Sequence, residues 1–231
     1  MPASFLAYSA GMVRLPLGYD TDVRPLSPLQ NYLPEVLLVR DSVVRRWTDR
    51  TDEPIRVWVQ TSVHVDGWDD SFPAMASEAL DQWSEVGLPI RFVRVRDSSA
   101  AELHILWTAK LGQDESGRTV WWSTSKGWIT RARVTLSTHA SDGLPQTPRA
   151  LRAVALHEIG HALGLGHTAD ARNIMAAWVE VTDLSEADRT TASLLYQMPA
   201  GRVSATGPET RGTDAGSMRY RERARRSPTP E

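Results

Sequence analysis

Residues 157–168 read HEIGHALGLGHT. His157 and His161 are four apart, so on a helix their side chains lie one turn above each other on the same face. Two imidazole nitrogens placed that way can reach one zinc ion at ~2.0–2.1 Å. Glu158 stands beside the first imidazole, where it is positioned to accept a proton from water rather than to bind metal. Gly164 comes three residues after His161. A glycine there can take a positive φ, end the helix and swing the chain back. His167 then arrives from a loop as a third ligand. Three histidines leave a fourth position open, which is the arrangement of a catalytic site rather than a closed structural one. The pattern fixes five positions. Five matches at ~1/20 each over this chain give a chance expectation on the order of 10⁻⁴, so an accidental meeting of core histidines is set aside.

The elements around this motif are legible from periodicity. Arg149 to Leu163 reads as a long apolar helix that carries His157 and His161 on its last turns. A second helix runs from Asp69 and Asp70 through Trp83, with Phe72, Met75, Ala76, Ala79, Leu80 and Trp83 on one face. A last helix spans about Ser185 to Tyr196, and Ser185 with Asp188 forms a capping pair at its start. Ile55, Val57 and Val59 alternate with polar or amphipathic neighbours and predict a strand. Ile90 to Val95, Leu103 to Trp107, Thr119 to Ser123 and Val134 to Ser137 predict four more. Gly112 to Gly117 is a polar loop.

Composition bounds the rest. The chain has 231 residues, enough for one sizeable domain with flanking segments. Its 41% hydrophobic and 23% charged residues are ordinary for a globular protein. The formal net charge of −2 gives no reason to expect nucleic acid or an anionic membrane as partner. No apolar run approaches the ~20 residues needed to span a bilayer. The absence of cysteine excludes disulfides, thiolate zinc sites and cysteine nucleophiles. The apolar stretch Phe5 to Val13 precedes the first basic residue, Arg14, so the N-terminus does not read as a signal peptide. Residues 1–50, rich in Pro, Leu and Arg, read as an N-terminal extension, either an arm or a pro-segment remnant, with a helix within Leu33 to Trp47. Residues 51–200 hold the catalytic domain. Residues 201–231 have seven arginines, four acidic residues and almost no large apolar groups, and read as a disordered basic tail.

The zinc motif followed by Asn173-Ile174-Met175 resembles the metzincin signature, HExxHxxGxxH with a methionine turn. Thr168, directly after the third histidine, is similar to the Ser or Thr that matrixins carry there. The order of elements over roughly residues 54–198 also resembles a matrixin catalytic domain. The resemblance implies an α+β fold: a twisted, mostly parallel sheet with an antiparallel edge strand, an active-site helix and a C-terminal helix. It implies a catalytic zinc held by His157, His161 and His167, with Glu158 as general base and Met175 supporting the histidines from below. It implies a metalloendopeptidase acting on extended protein or peptide substrates, located outside the cell or in its envelope. The substrate is expected to lie along the strand Thr119 to Ser123 and pair with its free backbone groups. Trp121 and Trp122 alternate, so one should face the cleft and the other the core. In matrixins the wall of the primed-side pocket includes the positions held here by Ala153, Ala176 and Ala177, all small, which implies a large apolar residue just after the scissile bond.

Several features depart from animal matrixins. There is no propeptide cysteine, and no histidine falls between Gly112 and Thr138, where the family places a second, structural zinc. One zinc per chain is therefore expected. Asp114 and Glu115 offer hard oxygen donors of the kind calcium takes, although a solvated turn is the plainer reading. His104 reads as a packed or surface residue and His139 as a surface residue. The chain is expected to act as a monomer. One alternative is an inactive zinc-containing module that merely holds a peptide, and its usual mark is a substituted general base. Here Glu158 is intact. A zinc enzyme acting on something other than protein is a second alternative.

Overall fold

In a computed structural model of the chain, the described residues are 31–39, 43–61, 64–112, 115–140, 142–202 and 215–220. The N-terminal stretch read for a signal peptide, the calcium candidate Asp114, and most of the basic tail lie outside them. Four helices and nine strands are described: α1 (Leu33–Val39), β1 (Val43–Val44), β2 (Arg50–Val59), α2 (Phe72–Ser84), β3 (Ile90–Arg94), β4 (Leu103–Thr108), β5 (Gly117–Ser123), β6 (Ile129–Ser137), α3 (Pro148–Ala162), β7 (Trp178–Val179), α4 (Glu186–Gln197), β8 (Gly201–Arg202) and β9 (Ala215–Tyr220).

The main sheet runs in the order β3-β2-β4-β6-β5-β9-β7. Its first four strands are mutually parallel, and β5 pairs antiparallel with β6. This is the α+β, mostly parallel sheet implied above, with β5 as its antiparallel strand beside β6. In β4 burial alternates: Leu103, Ile105 and Trp107 are buried while the residues between them are partly open. The same period buries Ala132, Val134 and Leu136 of β6. Alternation at period two sends one row of side chains to the helices and the other outward.

The buried face packs on α2 and α3. Phe72, Ala76, Ala79, Leu80 and Trp83 of α2 recur at three- and four-residue spacing and are all buried. α3 is buried nearly all round, from Ala150 to Ala162, because it lies between the sheet, α2 and the chain that follows it. Its N-terminus carries Thr147 as cap, accepting from the Ala150 N–H, with Pro148 in the first turn where a missing N–H costs nothing.

Three expectations meet a different structure. The helix expected within Leu33 to Trp47 covers only Leu33–Val39, and Val43–Val44 turns into a strand. The described part of the expected N-terminal extension joins the core, since Tyr32, Val36, Val44 and Trp47 are all 1% exposed. In the stretch read as a disordered tail, β8 pairs with β1, and β9 pairs with β5 on one side and β7 on the other. β5 therefore is not an edge strand here. Periodicity reports which face of a strand is buried, and it carries no information about what pairs with its outer edge.

Candidate metal centre

The three histidines come together as the spacing requires. His157 and His161 lie on the last two turns of α3. Gly164, at φ 105°, reverses the chain, and the Leu165 N–H donates to the Gly160 carbonyl at 3.0 Å. A β-carbon at Gly164 would run into the Arg45 carbonyl, so the turn is also closed from outside by the N-terminal segment. Two ring donors satisfy carbonyls left open at this helix end: Trp47 Nε1 donates to Ala162 O, and Tyr196 Oη donates to Leu163 O, both at 2.9 Å.

The imidazoles are oriented by backbone carbonyls. Nδ1 of His157 lies 2.7 Å from Ile174 O, and Nδ1 of His161 lies 2.8 Å from Leu165 O. A carbonyl can only accept, so both Nδ1 atoms carry the hydrogen and both Nε2 atoms present lone pairs. Each of those Nε2 atoms lies 3.0 Å from His167 Nε2. One hydrogen on His167 could serve only one of them, whereas a cation between the rings would serve all three. Zinc bonds of ~2.0–2.1 Å at tetrahedral angles place ligand nitrogens ~3.3 Å apart, close to what is seen. The donor set fits zinc. Burial pulls the His157 imidazole down to about 4, which keeps it in the neutral, ligating form.

Met175 is buried against α3. A β-carbon on Gly160, between the two helical histidines, would overlap Met175 Sδ. The turn is tied to the third histidine's loop by the Thr168 N–H donating to Met175 O at 3.0 Å. Underneath, the fully buried carboxylate of Asp188 accepts from the N–H of Ile174 and the N–H of Ser185, both at 2.9 Å, and from the Tyr32 hydroxyl at 2.7 Å. The Ser185–Asp188 capping box expected at the start of α4 is present. Its carboxylate also clamps the turn that orients His157. That second role was not foreseen.

Glu158 points the other way, toward β5. Its Oε2 accepts from Thr119 Oγ1 at 2.6 Å, and its Oε1 is buried with no hydrogen-bond partner. A β-carbon on Gly117 would stand 2.7 Å from that Oε1 and 2.6 Å from Cγ, so only glycine fits beside it. Burial pushes the Glu158 carboxyl well above the ordinary range, opposed by the Thr119 hydrogen bond. A dication on the neighbouring imidazoles would act in the same sense as Thr119. Neither Gly117 nor the Thr119 hydroxyl was among the sequence candidates. The available signal was an isolated glycine at the mouth of a strand, which often marks close backbone approach.

The remaining candidates are dispersed. Ala153 and Ala176 are buried and Ala177 is half-buried. Trp121 is buried with the Arg45 guanidinium 5.2 Å from its ring, and Trp122 is 39% exposed on the opposite face of β5. Glu115 is ion-paired with Arg118, whose Nε lies 2.8 Å from its Oε2, so its carboxylate is already engaged. His104 Nε2 contacts Ser98 O at 2.9 Å, and His139 is half-buried rather than on the surface, against Ala109 O at 3.1 Å. Among the described residues, His157, His161 and His167 are the one group of His and carboxylate donors close enough to share a metal ion. No helix among them is long and apolar enough to cross a membrane.

The matrixin family profile matches residues 59–197, from the end of β2 through α4. Metalloendoproteinase 1 of Glycine max is 31% identical over 126 residues, covering 46% of this chain and 38% of the relative. Probable matrix metalloproteinase 095L of Invertebrate iridescent virus 3 is 46% identical over 59 residues, covering 24% of this chain and 16% of the relative. The chain thus spans 38% and 16% of the lengths of these two relatives. The profile match takes in all three histidines, Glu158, Met175 and Asp188 and extends over more than half of the chain. With the buried imidazole cluster beneath β5, this places the chain in the matrixin family of zinc metallopeptidases.

Proposed function

We propose that the chain is a zinc-dependent endopeptidase that hydrolyses extended protein or peptide substrates. The observation that carries this reading is the pairing of three converging imidazole nitrogens with one unpartnered carboxylate oxygen, Glu158 Oε1. His157, His161 and His167 hold the metal. When bound, zinc supplies Lewis-acid polarisation of the scissile carbonyl and acidifies water toward pKa ~7.

The chain's own residues do the rest. Carbonyls 165 and 174 hold the imidazoles in the ligating tautomer. Thr119 holds one Glu158 oxygen still, and Gly117 leaves room for the other. Glu158 Oε1 takes the proton of the attacking water and later delivers it to the leaving amine nitrogen. Burial of the carboxyl raises its affinity for that proton. The substrate lies along β5, and Ala153, Ala176 and Ala177 leave room for a large apolar residue just after the scissile bond. The enzyme works as a monomer outside the cell or in its envelope.

A peptide-library digest with and without chelator tests the reading, with cleavage sites read by mass spectrometry. Chelator-sensitive cleavage before large apolar residues supports it. A zinc-loaded chain that holds peptides without cutting them would leave only a peptide-binding module.

A further inference from the structure

The zinc helix α3 packs against β9 as well as β5. β9 lies between β5 and β7. On one side, Gly216 pairs with Thr119 and Met218 with Gly117, the two β5 residues that hold and make room for Glu158. On the other side, Arg219 and Tyr220 pair with Trp178 and Val179, a few residues beyond Met175. β9 is antiparallel to β5 and parallel to β7. Strands in a sheet are spaced ~4.7–4.9 Å apart, so the opening between β5 and β7 is one strand wide and β9 fills it. Glu158 and His157 are 0% exposed and His161 1%.

An extended peptide entering this opening would need the same row of β5 N–H and C=O groups that β9 already uses. Two strands cannot pair with one edge at once, so occupancy is mutually exclusive. The occupant belongs to the same chain, joined to β8 by residues 203–214. Twelve residues can reach at most ~40 Å, which confines the segment near the cleft at an effective concentration in the mM range.

We propose that Ala215–Tyr220 is an intramolecular occupant of the substrate cleft, which a peptide must displace before it can reach Glu158 and the three histidines. The inference rests on the peptidase reading of this site. It makes the chain self-limiting without a cysteine: the occupied cleft weakens substrate binding and leaves the chemistry of the open form intact.

The test uses the full zinc-loaded chain and its variant Ser217→Pro/Met218→Pro. Proline has no N–H to donate, and consecutive strand residues donate to opposite sides, so whichever of the two faces β5 loses its bond to that strand. Hydrogen–deuterium exchange across residues 117–123 should speed up in the variant while exchange in α2 stays as it was. On a peptide substrate the variant's KM should fall with kcat unchanged, about tenfold for a cleft that is free a tenth of the time. A synthetic AGSMRY peptide should then inhibit the variant competitively. Unchanged exchange across 117–123 would overturn the proposal, and so would faster exchange with an unaltered KM. Faster exchange in a chain that cuts no peptide before or after the change would leave the occupied cleft standing and defeat the peptidase reading instead.

Discussion

The floor and the roof of the metal centre are built by different means. The floor consists of α3, the turn at Met175 and the start of α4. Buried side chains hold it, each with a particular partner: Asp188 on the Ile174 N–H, Met175 under Gly160, Trp47 and Tyr196 on the helix end. The roof consists of β5, β9 and β7, joined by backbone ladders in which almost any side chain can take part. A floor of that kind is a matter of residue identity, and its failures should be costly and specific. A roof of that kind is exchangeable, which suits a surface where one extended chain must replace another.

The largest effect is expected where the floor meets the chemistry. Glu158→Gln keeps every ligand and removes the proton acceptor, so turnover should drop ~10²–10⁴-fold with zinc content unchanged. Near-normal turnover by this variant would end the proposed mechanism.

Asp188→Ala should come next. It strands the Ile174 and Ser185 N–H groups and the Tyr32 hydroxyl in the core. A buried donor left without its partner costs about 1–3 kcal/mol, so stranding three should cost several kcal/mol in all. Urea unfolding would measure the loss, and zinc retention after dialysis should fall with it, because the Ile174 carbonyl orients His157. A loss below about 1 kcal/mol would mean that the clamp is incidental.

Two smaller changes probe the roof where it touches Glu158. Gly117→Ala puts a methyl 2.7 Å from Oε1 and must displace the carboxylate. Misplacement by about 1 Å costs on the order of 10²-fold in rate, here with zinc affinity kept. Thr119→Val removes the hydrogen bond that lowers the Glu158 carboxyl's proton affinity. Activity requires that carboxyl deprotonated, so the acid limb of the pH–rate profile should move to higher pH, and turnover should fall about tenfold. A limb that stays in place would show that Thr119 does not tune the base.

The smallest effect separates two buried groups with opposite signs. Burial pulls the His157 imidazole from 6.5 down to about 4, so its contribution is complete above pH 6.5 and is lost as pH falls toward 4. The Glu158 carboxyl is raised, so its contribution is complete below pH 4.5 and is lost as pH rises through its folded value. In metal-free protein the two slopes oppose each other between pH 4.5 and 6.5. Metal-free Glu158→Gln removes one of them. Its stability should therefore rise more steeply with pH than that of the parent across this range. Parallel denaturation curves for the two proteins across this range would refute the assignment.

Much of the floor was readable in the sequence because its geometry is local. The i, i+4 spacing of His157 and His161 aligns them on any helix, Gly164 supplies the one backbone reversal, and His167 lies within reach of the turn. The Ser185–Asp188 cap is local in the same way. The tertiary structure decided everything that depends on distant segments meeting. The Tyr32 hydroxyl reaches Asp188 across 156 positions, and Thr119 reaches Glu158 across 39. The register of β5 against β6 sets which residue faces the base, and a slip by one residue would turn Thr119 away from it. The partner on the outer edge of β5 was the least legible feature. Backbone ladders leave little trace in side-chain pattern, so a polar tail such as AGSMRY carries no mark of the cleft it fills.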